Sequence, residues 1–346
     1  MGTYGLTKDG KATKFYTITN KSGASVTISD FGGIIKNLLV PDKDGKLVDV
    51  ILAYDTASDY EHGTTFMGAL IGRFANRIAK GQFSLNGQAY QVAQNDGENH
   101  LHGGDVGFDK HIWQAEEVPN GIKLSMESPD MEENYPGNMK VEVTYLFDDD
   151  NCLTIDYKAV SDKDTLCNLT NHAYFNLNGH DSGSIEEQYL KLYASSFTPT
   201  NEGSIPTGEI KSVVGTPLDF TTEKMIGKDI NEDYNQLEWA GGFDHNFVLD
   251  KQDEKLTIAA KAYSPTSKII MTCETTQPGI QLYTGNYIAA DTAGKDGAVY
   301  QKRGGFCLET QNFPDAINHD NFPSAILKAG EAYREVTKYR FGICEA

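Results

Sequence analysis

Hydrophobic and polar positions alternate with a period of two along much of this chain. Val141, Val143, Tyr145 and Phe147 alternate with Glu142, Thr144 and Leu146, and Leu153, Ile155, Tyr157 and Ala159 alternate with Thr154, Asp156 and Lys158. Successive strand residues point to opposite faces, so each run predicts a half-buried antiparallel strand, with Asp148-Asp149-Asp150-Asn151 as the turn between them. Phe83-Ser84-Leu85 and Gln88-Ala89-Tyr90 flank Asn86-Gly87, a dipeptide that suits a two-residue hairpin turn. Further strands are predicted at 15–19, 26–29, 34–40, 48–53, 122–126, 189–193, 256–262, 268–275, 280–283 and 335–341. Helical periodicity is scarce, and 325–328 predicts one turn at most. Turn residues recur every 8–12 positions, with 34 glycines to supply them, which points to an all-β sandwich or barrel. Strand signals run from end to end with no linker or repeat, so residues 1–346 are expected to form a single domain.

Composition narrows the partners. Hydrophobic residues make up 39% of the 346 positions, enough for a packed core rather than disorder. The formal net charge of -19 repels phosphate backbones, so nucleic acid and anionic membrane are not expected as partners. The first residues carry no apolar signal-peptide core, and no window approaches 18 apolar residues. Five widely spaced cysteines without a CxxC pair read as reduced thiols, so the expected compartment is the cytoplasm. Asn20-Lys21-Ser22 and Asn168-Leu169-Thr170 are then chance matches to a glycosylation pattern. Monomer and homodimer are both open.

Candidate chemistry concentrates in five segments. Glu309 lies inside the apolar strand-like run Gly305-Phe306-Cys307-Leu308, just before Thr310-Gln311-Asn312-Phe313-Pro314-Asp315 ends it. A carboxylate in such a place is unfavourable unless paired or employed, and a strand end is a good seat for a general base. The other four are 72–78 with Arg73, Asn76 and Arg77, 99–104 with His100 and His102, 168–177 with His172, and 241–247 with Asp244 and His245. If extended, 99–104 would place His100 and His102 on one strand face. The two arginines also read as ordinary surface charges, and a lone histidine in an apolar setting is more often a satisfied core residue than a catalyst. No HExxH, CxxC or calcium loop is present and the histidine spacing is irregular, so no metal is expected. GxSxG, GxGxxG and Walker motifs are also absent. What survives is a cofactor-free site of histidine, carboxylate, arginine and amide groups, a set that both donates to and accepts from the hydroxyls of a neutral polyol.

The segments GRFANRI (72–78), NHLHGG (99–104), NLTNHAYFNL (168–177), GFDHNF (242–247), TTQPGIQLYTGN (275–286) and GFCLETQNFPDA (305–316) resemble, in order, those of the aldose 1-epimerase (galactose mutarotase) family. Ile205-Pro206-Thr207-Gly208 resembles a further family loop. The resemblance implies a large antiparallel β-sandwich, the galactose mutarotase-like supersandwich, with an open cleft. It implies Glu309 as catalytic base and His172 as catalytic acid. Asn76, Arg77, His102, Ala173, Tyr174, Asp244 and Gln281 then correspond to sugar-binding positions, while Arg73, His100 and His245 are structural. The implied activity interconverts α- and β-anomers of galactose and glucose by ring opening, rotation about C1–C2 and reclosure, with no cofactor. An unperturbed histidine is about a quarter protonated at pH 7, and a neighbouring carboxylate is expected to raise that fraction. Three rival readings remain: a hexose-6-phosphate epimerase, a glycosidase using Asp244 and Glu309, and a sugar-binding module without catalysis.

Overall fold

The computed structural model describes residues 1–251 and 253–344. Its centre is an antiparallel sheet of nine strands in the spatial order Gln114–Val118, Gly121–Ser128, Met139–Phe147, Cys152–Ser161, Ala332–Ile343, Ile269–Thr275, Thr257–Tyr263, Tyr189–Leu192, Lys224–Met225. The alternation read from the sequence is the alternation of its faces. Val141, Val143, Tyr145 and Phe147 are buried and stand opposite Ala159, Tyr157, Ile155 and Leu153, while Lys140 and Glu142 are exposed. Burying each such large side chain contributes about 1.5–3 kcal/mol, which sets the register, since a one-residue slip would turn the whole row outward.

A second sheet of six strands runs Tyr174–Phe175, Phe306–Gln311, Gly279–Tyr283, Asp244–Val248, Ser196–Phe197, Lys211–Ser212. Its Phe247, Ile280, Leu282, Phe306 and Leu308 join Met271, Cys273, Tyr339 and Phe341 of the first sheet in the main core. Tyr339 donates its hydroxyl to Leu308 O at 2.8 Å, and the hydroxyls of Thr310 and Thr337 bond at 2.5 Å, pinning the two layers face to face. Phe306, Leu308 and Thr310 therefore point inward, and the alternate residues Cys307, Glu309 and Gln311 point to the opposite face. That face is covered as well, because every residue of Phe306–Gln311 is buried. A five-stranded meander from Gly2–Leu6 to Leu47–Asp49 closes one flank.

The architecture is all-β, as the turn spacing predicted. Phe83 pairs with Tyr90 and Leu85 with Gln88, and Asn86 and Gly87 have φ of 52° and 77°, the positive values a type I′ hairpin turn requires. The strand expected at 48–53 is shorter, Leu47–Asp49; beyond it the Asp49 carboxylate accepts from the backbone of Leu38 and Ile51 and the chain leaves the sheet. The turn of helix expected at 325–328 is instead the strand Ile326–Leu327, paired with Thr165–Leu166. Two short helices escaped the pattern. Ala57–His62 starts at a reciprocal Thr56–Asp59 capping box, and Asn235–Ala240 ends at Gly241 with φ 67°. Among the described residues no helix is long and apolar enough to cross a membrane.

Candidate active site

The outward-facing residues of the six-stranded sheet form the floor of a cleft. Gln281 lies opposite both Glu309 and Asn246, and Asp244 lies opposite Tyr283. From this diagonal, Gln281 donates Nε2 to Asp244 Oδ1 at 2.7 Å. Gly241 caps the preceding helix and turns the chain into the strand Asp244–Val248, which presents Asp244 to the cleft.

His172 enters from the side. Its backbone is clamped by N–H donation to Ala69 O at 2.9 Å and by acceptance from Gly68 N at 2.8 Å. Its ring is stacked between Tyr174 (centroids 5.0 Å apart) and Phe66 (6.0 Å). In that position Nε2 stands 3.7 Å from Glu309 Oε1, and Nδ1 lies 3.5 Å from Cys307 Sγ. His102 forms the facing wall, its ring centroid 5.2 Å from that of His172. Its Nδ1 accepts the Asn76 N–H at 3.1 Å, so in the neutral ring the hydrogen sits on Nε2. Both residues have left-handed backbones, with φ of 65° at Asn76 and 52° at His102. Gly103 completes the turn; a Cβ there would lie 1.8 Å from Gly72 O.

Arg77 and Tyr174 also line this cleft with Asn76, His102, His172, Asp244 and Glu309, so seven of the residues singled out in the sequence come together. Two do not reach it. Ala173 packs into the main core, and Gln281 sits behind Asp244 and bonds it. The cleft also has Phe66, Tyr283 and Tyr287 on its walls. Tyr283 falls inside the segment 275–286 and its seat on the cleft face follows from the alternation. Phe66 lies in no motif, and nothing in its local sequence marks it.

Two expectations for neighbouring residues change. His100 and His102 do not share a strand face, because the strand His100–Leu101 ends before the left-handed His102. His100 is a buried structural group that meets the Tyr135 hydroxyl through Nε2 at 2.6 Å and Ala93 O through Nδ1 at 2.7 Å. Arg73 is not a surface charge. It is 2% exposed and donates to Ser128 Oγ and to the carbonyls of Ser128, Pro129 and Pro136 at 2.8–3.1 Å.

The electrostatics follow from burial. Desolvation pushes the Glu309 carboxyl well above the usual range, the Asp244 charge adds to this, and Arg77 opposes it. Desolvation lowers His172 to about 4. This corrects the expectation that a carboxylate neighbour raises it: removing the imidazolium from water dominates, with a backbone hydrogen bond opposing, and Glu309 is itself pushed toward its neutral form. His102 is held well below its usual value by burial, then by His172 and Arg77, and is neutral. Asp244 is raised by burial, with Arg77 and the Gln281 hydrogen bond opposing. Glu309 Oε2 is buried without a hydrogen-bond partner, an acceptor left for a ligand's O–H.

His102, His172 and Glu309 bring ligand-type atoms within 4.8 Å of one another, a donor set that a divalent cation can use. The tautomer of His102 argues for a different guest. With Nδ1 occupied by the Asn76 N–H, its Nε2 offers a hydrogen, which suits a hydroxyl oxygen rather than a cation.

The sequence model of the aldose 1-epimerase family matches residues 14–340. This chain belongs to the aldose 1-epimerase family. It is 44% identical over 318 residues to galactose mutarotase from Sus scrofa, covering 92% of this chain and 91% of that protein. It is 34% identical over 339 residues to aldose 1-epimerase from Escherichia coli, covering 97% of each. Among solved structures, an aldose epimerase homologue from C. elegans superimposes with a TM-score of 0.89 at 31% identity, over 96% of this chain and all of that one. Galactose 1-epimerase from Lactobacillus acidophilus superimposes with a TM-score of 0.85 at 29% identity, over 98% of this chain and 97% of that one. The protein is an enzyme, an epimerase acting on carbohydrate, built on the sandwich of this family.

Proposed function

We propose that this enzyme interconverts the α- and β-anomers of D-galactose and D-glucose, with Glu309 and His172 as the proton-transfer pair. The observation that carries the reading is the 3.7 Å approach of His172 Nε2 to Glu309 Oε1 on the wall of one cleft. Opening a pyranose ring removes a proton from the C1 hydroxyl and delivers one to the ring oxygen. A pair holding a single proton can do both at once. With the proton on His172, Glu309 takes the O1 proton while His172 protonates the ring oxygen. Rotation about C1–C2 turns the other face of the aldehyde, and closure reverses both transfers. No redox change or leaving group is involved.

Burial alone favours the tautomer with the proton on Glu309. A sugar hydroxyl bonded to the unpartnered Oε2, together with the Arg77 charge, shifts the balance toward the carboxylate form that acts as base. Closure reverses both transfers, so each group must give a proton in one direction and take it in the other. Each positioned acid or base supplies typically ~10²–10⁴-fold, so the pair supplies on the order of 10⁴–10⁸ if independent. His102 Nε2–H, Arg77 and the Asp244 carboxylate are the donors and acceptor for the ring hydroxyls, the bonds to charged groups contributing ~1.5–3 kcal/mol each and the neutral His102 bond ~0.5–1.5.

A phosphorylated hexose fits the site poorly. Arg77 is already paired with Asp96 at 2.7 Å, and the carboxylates of Asp244 and Glu309 share its cleft. Polarimetry of freshly dissolved α-D-galactose and α-D-glucose, with glucose 6-phosphate alongside, tests the reading. Faster decay of optical rotation for the neutral sugars is expected. No acceleration of either, or one that survives in both Glu309→Gln and His172→Asn, would overturn it.

A further inference from the structure

Arg77 reaches the cleft on a long flexible side chain, and something must fix its direction. Among the described residues its guanidinium hydrogen-bonds through Nε alone, to Asp96 Oδ2 at 2.7 Å. The terminal Nη groups are thereby left to donate to a ligand. Arg77 is 13% exposed in its side chain and Asp96 36%. Asp96 itself does not line the sugar cleft; it borders an adjoining groove of about 760 Å³, and Arg77 lies on the boundary of both.

The segment carrying Asp96 is rigid. Asp96 and Asn99 exchange two backbone hydrogen bonds, at 3.1 and 3.0 Å. The Asn95 side chain accepts from Leu101 N and donates to Leu101 O and Gly104 O at 2.8–3.0 Å. Asn99 Oδ1 accepts from Lys80 N at 2.9 Å. Leu101 in turn is the β-partner of Arg77. Backbone and side chain of Arg77 are thus both referred to the one segment 95–101. With Asp96 at 36% exposure the pair is open to water on one side, and such a pair adds little to stability, typically ~0.2–1 kcal/mol. Stability therefore gives no reason for this scaffold, whereas aiming an arginine does.

We propose that Asp96 is a positioning residue for sugar binding, holding Arg77 by its Nε so that the Nη groups meet the ring hydroxyls. The inference rests on the reading of Arg77 as a sugar-binding residue. Binding through Arg77 is shared by ground and transition states, so its misdirection raises KM more than it lowers kcat.

The test is a double-mutant cycle measured by polarimetry on α-D-galactose. Arg77→Ala alone comes first: an unchanged KM would remove the role of Arg77 itself, leaving the proton-transfer pair untouched. With KM raised there, Asp96→Ala is expected to raise KM about tenfold with kcat within about threefold. Asp96→Asn, which keeps an oxygen acceptor and loses the charge, is expected to fall between it and wild type. In the Arg77→Ala background, Asp96→Ala is expected to do nothing further. A wild-type KM in Asp96→Ala, or an effect that adds in full to that of Arg77→Ala, would overturn the proposal. So would a loss in Asp96→Ala traced to a lowered melting temperature.

Discussion

His172 Nε2 and Glu309 Oε1 stand 3.7 Å apart, one on a clamped loop and the other on the middle of a buried strand. Both side chains are almost fully removed from water, at 7% and 2% exposure, and yet both face one cleft. Burial pushes their proton affinities in opposite directions, and the pH behaviour follows from that.

In the proposed mechanism the pair works while it holds one proton in total. A second proton enters as the pH falls through the lowered value of His172, about 4. The last proton leaves as the pH rises through the value of Glu309, which burial and Asp244 raise. kcat/KM is therefore expected to form a wide plateau through neutrality, with its acid limb near pH 4. A rate profile between pH 3.5 and 10 checks this, and an acid limb near 6.5 would contradict it.

Removing either partner should be severe. Glu309→Gln and His172→Asn are each expected to lower kcat by ~10²–10⁴-fold. The proposed mechanism has the two act as a unit, so the double variant should lose much less than the product of the single losses. Initial-rate polarimetry on all three proteins decides, and full additivity would mean the groups act separately.

Glu309 should also lower stability above acid pH. Its folded pKa is raised above the unfolded value of about 4.3. Its contribution to stability is therefore fully present below about 4.3 and lost as pH rises through the folded value. The always-neutral Glu309→Gln escapes this loss. It is expected to melt a few degrees above wild type at pH 8, with the gap closing toward pH 4. Calorimetry at several pH values checks the sign, and a variant less stable than wild type at pH 8 would be against it.

Arg73 should behave in the opposite way to Arg77. Arg73→Leu leaves the carbonyls of Ser128, Pro129 and Pro136 without their donor, those of Ser128 and Pro136 on buried residues. The expected loss is about 3 kcal/mol or more, each orphaned buried acceptor costing about 1–3. Protein that remains folded should keep its KM. Urea denaturation with kinetics on the same samples separates the two arginines.

The His102–His172–Glu309 triangle gives a test of the metal question. The hydrogen on His102 Nε2 favours a hydroxyl guest, so dialysis against a chelator is expected to leave the rate unchanged. Loss of activity with recovery on adding zinc would show that the triangle holds an ion.

The period-two pattern determined the fold class, because a strand buried on one face must alternate, as Val141 to Phe147 does against Leu153 to Ala159. Asn86-Gly87 determined its own turn, because positive φ is a local property of the residue. Motif order brought Asn76, Arg77, His102, His172, Tyr174, Asp244 and Glu309 to attention as a set. Local pattern said less where long-range contacts rule. It gave 325–328 as a helical turn, and pairing with Thr165–Leu166 made a strand of it. Only the tertiary structure decided that Arg73 is buried, that Phe66 stacks on His172 and that Asp96 reaches Arg77. These depend on which segments, distant in the chain, meet in space. The same holds for the proton affinities of Glu309 and His172: charge type is written in the sequence, but the water taken away from it is set by what packs around it.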